Sequence, residues 1–314
     1  MRQLQLLACM ILLNTICYNH QTYTYQEPID TITFQISKKE IFIITIALGT
    51  IVLSWIFKCI INNQKTFSSS QTIINGNGKK KIKKINIDNV TEFYLAGIGN
   101  LTIEQSETQR ETLTIIADAN IMPHLKHVIN LISFYSSDKQ LKLYIEDNIT
   151  INPWIPITYH AIINNINKIS SSGSMNTQSK NTLKTNILNI NNSGKGNINL
   201  SVNVKEAAIN LSGSGDIELS GTTTDQFIKF SGTGNIKFSG TTTNQNINLS
   251  GTGQYNAYNL ESQNALIKLS GSGSVYVNVQ KDLSYKLSGV GDICYKGNPT
   301  VKGSKSGIGK IKQA

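Results

Sequence analysis

Residues 209–219 read Ile-Asn-Leu-Ser-Gly-Ser-Gly-Asp-Ile-Glu-Leu, and residues 228–238 repeat them as Ile-Lys-Phe-Ser-Gly-Thr-Gly-Asn-Ile-Lys-Phe. Working outward, Ser-Gly-x-Gly begins at Ser193, Ser212, Ser231, Ser250, Ser270, Ser288 and Ser306, in steps of 19, 19, 19, 20, 18 and 18 residues. A degenerate copy, Ser172-Gly173-Ser174-Met175, lies 21 residues before the first and reads as an atypical cap. Self-similarity at this period, with glycines in phase, marks a solenoid in which each repeat is one coil that cannot bury its core alone.

The flanks say which solenoid. Before each serine the pairs Ile209/Leu211, Ile228/Phe230, Ile247/Leu249, Ile267/Leu269 and Tyr285/Leu287 enclose Asn210, Lys229, Asn248, Lys268 and Lys286. After the second glycine the pairs are Ile198/Leu200, Ile217/Leu219, Ile236/Phe238, Tyr255/Ala257 and Val275/Val277. Period-two alternation on both sides predicts two short strands per repeat, each with one buried face. Gly-x-Gly supplies a corner whose left-handed or strained backbone only glycine enters freely. The second corner is polar, as in Gly221-Thr222-Thr223-Thr224 and Gly240-Thr241-Thr242-Thr243. Together these patterns predict an all-β fold, a parallel β-helix over residues 171–312, with coils stacked at ~4.8 Å into a rod roughly 35–40 Å long.

The formal net charge of +10 invites a nucleic-acid reading, but the chain holds only two arginines, Arg2 and Arg110. Phosphate and base recognition lean on arginine. Five of the lysines, Lys79, Lys80, Lys81, Lys83 and Lys84, fall in one polar stretch over residues 62–84 that reads as a solvated or lipid-facing linker. Nucleic acid is therefore not an expected partner. Of four cysteines, Cys9, Cys17 and Cys59 lie in or beside apolar segments and Cys294 is alone in the repeats, so no disulfide framework is expected.

From Ile41 to Phe57 no charge occurs, and the apolar run continues past Lys58 to Ile61, long enough for a transmembrane helix over 41–61. A weaker apolar run, Leu4 to Cys17, makes residues 1–20 a signal-like segment or a short first span. Lysines after the main span outnumber Lys38 and Lys39 before it, which by the positive-inside rule would hold the repeats in the cytoplasm. A translation start later than Met1 would instead make Lys38-Lys39 and the run behind it an ordinary export signal.

Residues 85–170 form a second β-rich part, with alternation at Ile85/Ile87, Leu101/Ile103, Leu113/Ile115 and Leu141/Leu143/Ile145. One stretch reads as a helix, with Asp118-Ala119-Asn120 as cap, Pro123 in the first turn, and Ile121, Leu125 and Val128 on one face. The runs Ala96-Gly97-Ile98-Gly99-Asn100-Leu101-Thr102-Ile103-Glu104-Gln105, then Ile115-Ile116-Ala117-Asp118-Ala119-Asn120-Ile121, then Leu141-Lys142-Leu143, followed by the repeated Ser-Gly-x-Gly-Asn/Asp-Ile, resemble the family known as putative auto-transporter adhesin, head GIN domain. The resemblance spans roughly residues 85–312. It implies a β-helical domain behind an export or membrane segment, with the head in the periplasm or outside the cell. The family carries no catalytic residues to transfer.

Parallel β-helices often cleave acidic polysaccharides, which takes clustered carboxylates. The repeats offer Asp216, Glu218, Asp225, Glu261, Asp282 and Asp292. Asp216 and Asp292 share a phase but stand four coils apart, too far to act as a pair. His124 and His127, at i and i+3, could both reach a metal, but no Cys, Asp or Glu of matching spacing completes a shell. The Gly-x-Gly corners open strands and not helices, so they are no phosphate cradle. No pattern asks for a cofactor. What is left is a regular polar face, Asn210, Lys229, Asn248, Lys268 and Lys286, suited to an envelope or host glycan or protein, or end-to-end self-association of weakly capped rods.

Overall fold

Period-two alternation leaves each repeat with a row of apolar side chains on one side and unpaired backbone groups along both edges, and the chain satisfies both by stacking. The computed structural model describes residues 71–133 and 136–314. In chain order its strands are β1 (Thr72–Asn75), β2 (Lys80–Asn86), β3 (Val90–Leu95), β4 (Ile98–Gln105), β5 (Thr112–Asp118), β6 (Leu125–Leu131), β7 (Lys139–Ile145), β8 (Ile149–Asn152), β9 (Thr158–Ile163), β10 (Lys168–Ser171), β11 (Ser174–Ser179) and β12 (Leu183–Asn192). They continue as β13 (Ile198–Leu211), β14 (Ile217–Phe230), β15 (Ile236–Leu249), β16 (Gln254–Leu269), β17 (Ser274–Leu287), β18 (Ile293–Lys296), β19 (Thr300–Lys305) and β20 (Ile311–Gln313).

From β12 to β17 every consecutive pair is parallel, so the solenoid expectation holds. Registers place Ile190, Ile209, Ile228, Ile247 and Ile267 in one buried column. Leu211, Phe230, Leu249, Leu269 and Leu287 form the next. Burying one such side chain is worth roughly 1.5–3 kcal/mol. A coil gains this only when a neighbour covers it on each side.

The glycine corner works for a different reason from the one expected. None of the Ser-Gly-x-Gly glycines has a positive φ; those that do include Gly221 and Gly240, at the second corner, with φ of 133° and 119°. In the Gly-x-Gly corner the first glycines stack directly on one another, and a Cβ at Gly232 would overlap the carbonyl oxygen of Gly213. Close approach of backbones, and not a left-handed conformation, excludes side chains there.

The stack does not begin at residue 171, and the degenerate copy is not its cap. β10 pairs in parallel with β3, and β11 with β4, so Gly97 occupies the corner position before Gly173 and Met175 lies opposite Gly99 with its side chain fully buried. β3 and β4 pair in turn with β7 and β9. The coil made by residues 90–105 thus sits between a later segment, 139–163, and the repeats.

Three antiparallel strands close this end: β5 on β9, β2 on β5, and β6 on β7. Two expectations are corrected here. The lysine-rich stretch is no linker throughout, because residues 72–75 and 80–86 are strands. The expected helix is a single 3-10 turn, Met122–His124, and Leu125–Leu131 is a strand. Leu125, His127 and Ile129 face Ile145, Leu143 and Leu141, a period of two that the apolar spacing of 121, 125 and 128 concealed. Asp118 caps no helix; its buried carboxylate accepts N–H bonds from Gly78 at 2.7 Å, Trp154 at 3.0 Å and Ile155 at 2.9 Å. Among the described residues no helix is long and apolar enough to cross a membrane; the expected segments 1–20 and 41–61 lie outside them.

The polar second corner turns part of itself inward. Thr223, Thr242, Gln226 and Gln245 are buried in the repeats. Thr223 bonds Thr242 at 2.8 Å, Gln226 Nε2 donates to Thr223 at 3.1 Å, and the buried Tyr255 hydroxyl reaches Gln245 Oε1 at 2.9 Å and Gln226 Oε1 at 3.2 Å. Hydrogen-bonded networks of this kind are tolerated in a core, where lone polar groups are costly, although here the buried Gln245 Nε2 is left without a partner.

Gly232→Ala is expected to cost about 3 kcal/mol and lower the melting temperature by ~6–12 °C, while Thr233→Ala stays within ~0.5 kcal/mol; differential scanning calorimetry on both variants checks this, and equal effects would contradict the close-approach reading. Burial raises the pKa of Asp118, but its backbone N–H bonds outweigh that and hold its carboxyl below the usual aspartate range. A lowered folded pKa contributes stability that is present above the unfolded value and lost as pH falls through the folded one. Below pH ~4 the wild type should therefore lose stability more steeply than Asp118→Asn, as read from urea midpoints across a pH series.

Candidate binding face

Two residues along a strand point the same way, so the outward positions of β13 to β17 make parallel columns about 7 Å apart, with coils repeating every ~4.8 Å along each. The registers carry the expected face intact: Asn210, Lys229, Asn248, Lys268 and Lys286 stand in one column, all exposed. Asn210 Nδ2 donates to Asn191 Oδ1 at 2.8 Å, extending the column by one coil. No carboxylate among the described residues forms an ion pair with Lys229, Lys268 or Lys286.

Two residues earlier on the same strands runs a column the sequence reading passed over: Ala208, Phe227, Asn246, Leu266 and Ser284. Phe227 is 45% exposed and Leu266 40%, large apolar groups on an otherwise polar wall. Two residues earlier again stand Asp225, Asn244, Asn264 and Asp282. Here Asn244 Nδ2 donates to Asp225 at 2.7 Å and Asn264 Nδ2 to Asn244 at 2.9 Å, an amide ladder that fixes its own side chains. These last two columns line a shallow cleft of about 350 Å³. The signal that could have found it was a break in pattern, Phe227 and Leu266 standing where other repeats put small or polar residues.

Four of the acids weighed for catalysis, Asp216, Glu218, Asp225 and Asp292, bond within the stack. Asp216 Oδ1 accepts the Asn235 backbone N–H at 2.7 Å, Asn197 does the same for Asp216, and Asn235 for Gln254. Asp292 accepts Lys310 N–H at 2.7 Å and the Lys312 ammonium at 2.9 Å, bonds that lower its pKa. This explains the Asn or Asp after Gly-x-Gly: its side chain satisfies the next coil's N–H at the corner. Glu218 pairs with Lys237 at 2.7 Å. His124 bonds Glu146 at 2.8 Å from the 3-10 turn while His127 lies on β6, so the two share no helical face.

The 20-residue step in the repeat corresponds to a bulge in β16, where the register slips between Lys237 and Ser239 of the neighbouring strand. Tyr258 stands there, edge-on to Tyr276 at 5.3 Å, with Lys296 Nζ 4.5 Å from its ring centre. Cys294, beside them, is a free, half-buried thiol.

These features define a class: a parallel β-solenoid whose outer wall presents in-register side-chain ladders. Within that class the chain belongs to the family described as putative auto-transporter adhesin, head GIN domain, which matches residues 89–238 and 227–299. No curated protein matches the sequence. Among solved structures, a putative adhesin from Parabacteroides merdae is similar over 77% of this chain and 99% of its own, at 23% identity and a TM-score of 0.70. Another from Parabacteroides distasonis is 20% identical over 77% of this chain and 100% of its own, with a TM-score of 0.71. A putative lipid binding protein from the same organism is 23% identical with the same coverage and a TM-score of 0.65. At these identities the likeness is one of fold.

If the corner ladder is structural, Asp216→Asn should leave stability within ~0.5 kcal/mol, because its carbonyl still accepts, while Asp216→Leu should cost roughly 1 kcal/mol. Chemical denaturation of the two variants separates these outcomes.

Proposed function

We propose that this protein is a membrane-anchored, non-catalytic binding protein of the cell envelope, with its solenoid in the periplasm or outside the cell, that holds an extended glycan across the face of β14 to β17. One observation carries the reading: Phe227 and Leu266, two coils apart, stand between a self-fixed amide ladder and a column of unpaired lysines. Apolar pads take the C–H face of a sugar ring, carboxamides and carboxylates take its hydroxyls, and lysines take acidic substituents. A single coil offers one or two such groups, so affinity comes from repetition. Family membership supports an adhesin-like role, and the expected segment at residues 41–61 supports the anchor. Catalysis is disfavoured by the employment of Asp216, Glu218 and Asp292 in structural bonds. End-to-end filaments are the weaker reading, because Lys305 takes the inward position that Leu287 fills one coil earlier and β2 presents lysines at the other end.

The test is binding of the purified protein to an array of acidic and neutral polysaccharides. Phe227→Ala with Leu266→Ala, and separately Lys229, Lys268 and Lys286 all to Ser, should each weaken capture by about tenfold, a loss of ~1.4 kcal/mol, without moving the melting temperature. Capture of proteins but no glycan would redirect the reading to a protein ligand. Turnover of an acidic polysaccharide, abolished by Asp216→Asn, would replace it with an enzyme. Protease added to intact spheroplasts should digest the solenoid; full protection would place it in the cytoplasm.

A further inference from the structure

Lysines on an unpaired edge strand are explained by protection against strand addition. β2 is such an edge: among the described residues it pairs with β5 alone, and Lys80, Lys81, Lys83 and Lys84 are exposed along it. Edge protection does not explain the company they keep. Ile82, within the same strand, is 55% exposed; Trp154 is 80% exposed and Ile73 66%. The indole of Trp154 stands beside Gly78, and the Asp118 carboxylate binds the N–H groups of both, so the Trp154 loop is locked against the turn that leads into Lys79 and Lys80. Gly76 N–H to Asn152 O at 2.8 Å and the pairing of Ile73 with Thr150 hold β1 and β8 in the same unit. No ion pair among the described residues engages Lys79, Lys80, Lys81, Lys83 or Lys84.

An exposed tryptophan whose backbone is pinned, two exposed isoleucines and five lysines without ion pairs are the chemistry of a bilayer interface, where aromatic and aliphatic groups enter the headgroup boundary and lysines meet anionic lipid. We propose that the surface formed by β2, the Trp154 loop and the β1–β8 pair docks on an anionic membrane surface through Trp154, Ile73 and Ile82, with Lys79 to Lys84 against the headgroups. Chain length agrees: β1 begins at Thr72, and the ten residues from Asn62 to Gln71 reach at most ~35 Å from the end of the apolar run at Ile61. The inference rests on the membrane-anchored reading and adds to it that the domain lies against the lipid and is not merely tethered above it.

Trp154 is its own reporter once Trp55, the other tryptophan, is replaced. Full-length Trp55→Phe protein is reconstituted in vesicles of phosphatidylcholine alone, or with one third phosphatidylglycerol, with and without brominated acyl chains. Alkaline flotation of the same vesicles reports the anchor independently, so failure to float sinks the anchored reading while quenching judges the edge. Docking predicts blue-shifted emission and bromolipid quenching in anionic vesicles, reduced severalfold in zwitterionic ones, by Lys80, Lys81, Lys83 and Lys84 all to Gln, and in roughly 1 M salt, where the Debye length falls to ~3 Å. The salt arm needs no variant to fold. Emission as red and unquenched as in detergent, or quenching indifferent to lipid charge, salt and the lysines, would overturn the proposal.

Discussion

Everything in the repeat region depends on coils approaching closely enough for each to donate its backbone hydrogen bonds to the next. At the Gly-x-Gly corner that approach leaves no room for a side chain, as the overlap of a Cβ at Gly232 with the Gly213 carbonyl makes plain. At the following position the Asn or Asp side chain supplies the acceptor that the turning backbone cannot, as Asp216 does for Asn235. The recurrence of Gly-x-Gly along the chain is thus a packing requirement, and the Asn or Asp that follows it at 197, 216, 235 and 292 meets a hydrogen-bonding one.

The same constraint shapes what the outer wall can do. Strict register converts a chemical choice at one position into a column, so the lysines and asparagines beside the glycine corner become a ladder whether or not any ligand exists. What distinguishes the proposed site is the departure from uniformity at Phe227 and Leu266, which the stack does not require and which costs solubility. The Asp225–Asn244–Asn264 column next to it is held by its own amide bonds, so that part of the cleft wall is set before a ligand arrives.

A one-dimensional stack has two ends, and this protein treats them differently. At the carboxyl end Lys305 stands in register with Leu287 and Gly303 with Tyr285, so the apolar columns of the repeats are not continued by β19. At the amino end antiparallel strands fold across the stack, and β2 places a lysine row on an open edge. A lysine in the leucine register at one end and a basic edge at the other are features that disfavour further strand addition.

The sequence by itself determined the repeat, its strands, the inward and outward phases and the ladder from Asn210 to Lys286, because all follow from a period of two nested in a period of 19. It also showed that Asp216 and Asp292 are remote from each other. Tertiary structure alone decided the rest. Residues 90–105 stack between 139–163 and 168–179, an order that no local pattern encodes, since register between distant strands is settled by which surfaces remain unpaired. Leu125–Leu131 became a strand because β7 offered an edge, overriding a helical spacing in the sequence. Lys80 to Lys84, polar enough to read as linker, were drawn into β2 because β5 needed a partner, and the turn that leads into them is tied to the Trp154 loop through the Asp118 carboxylate.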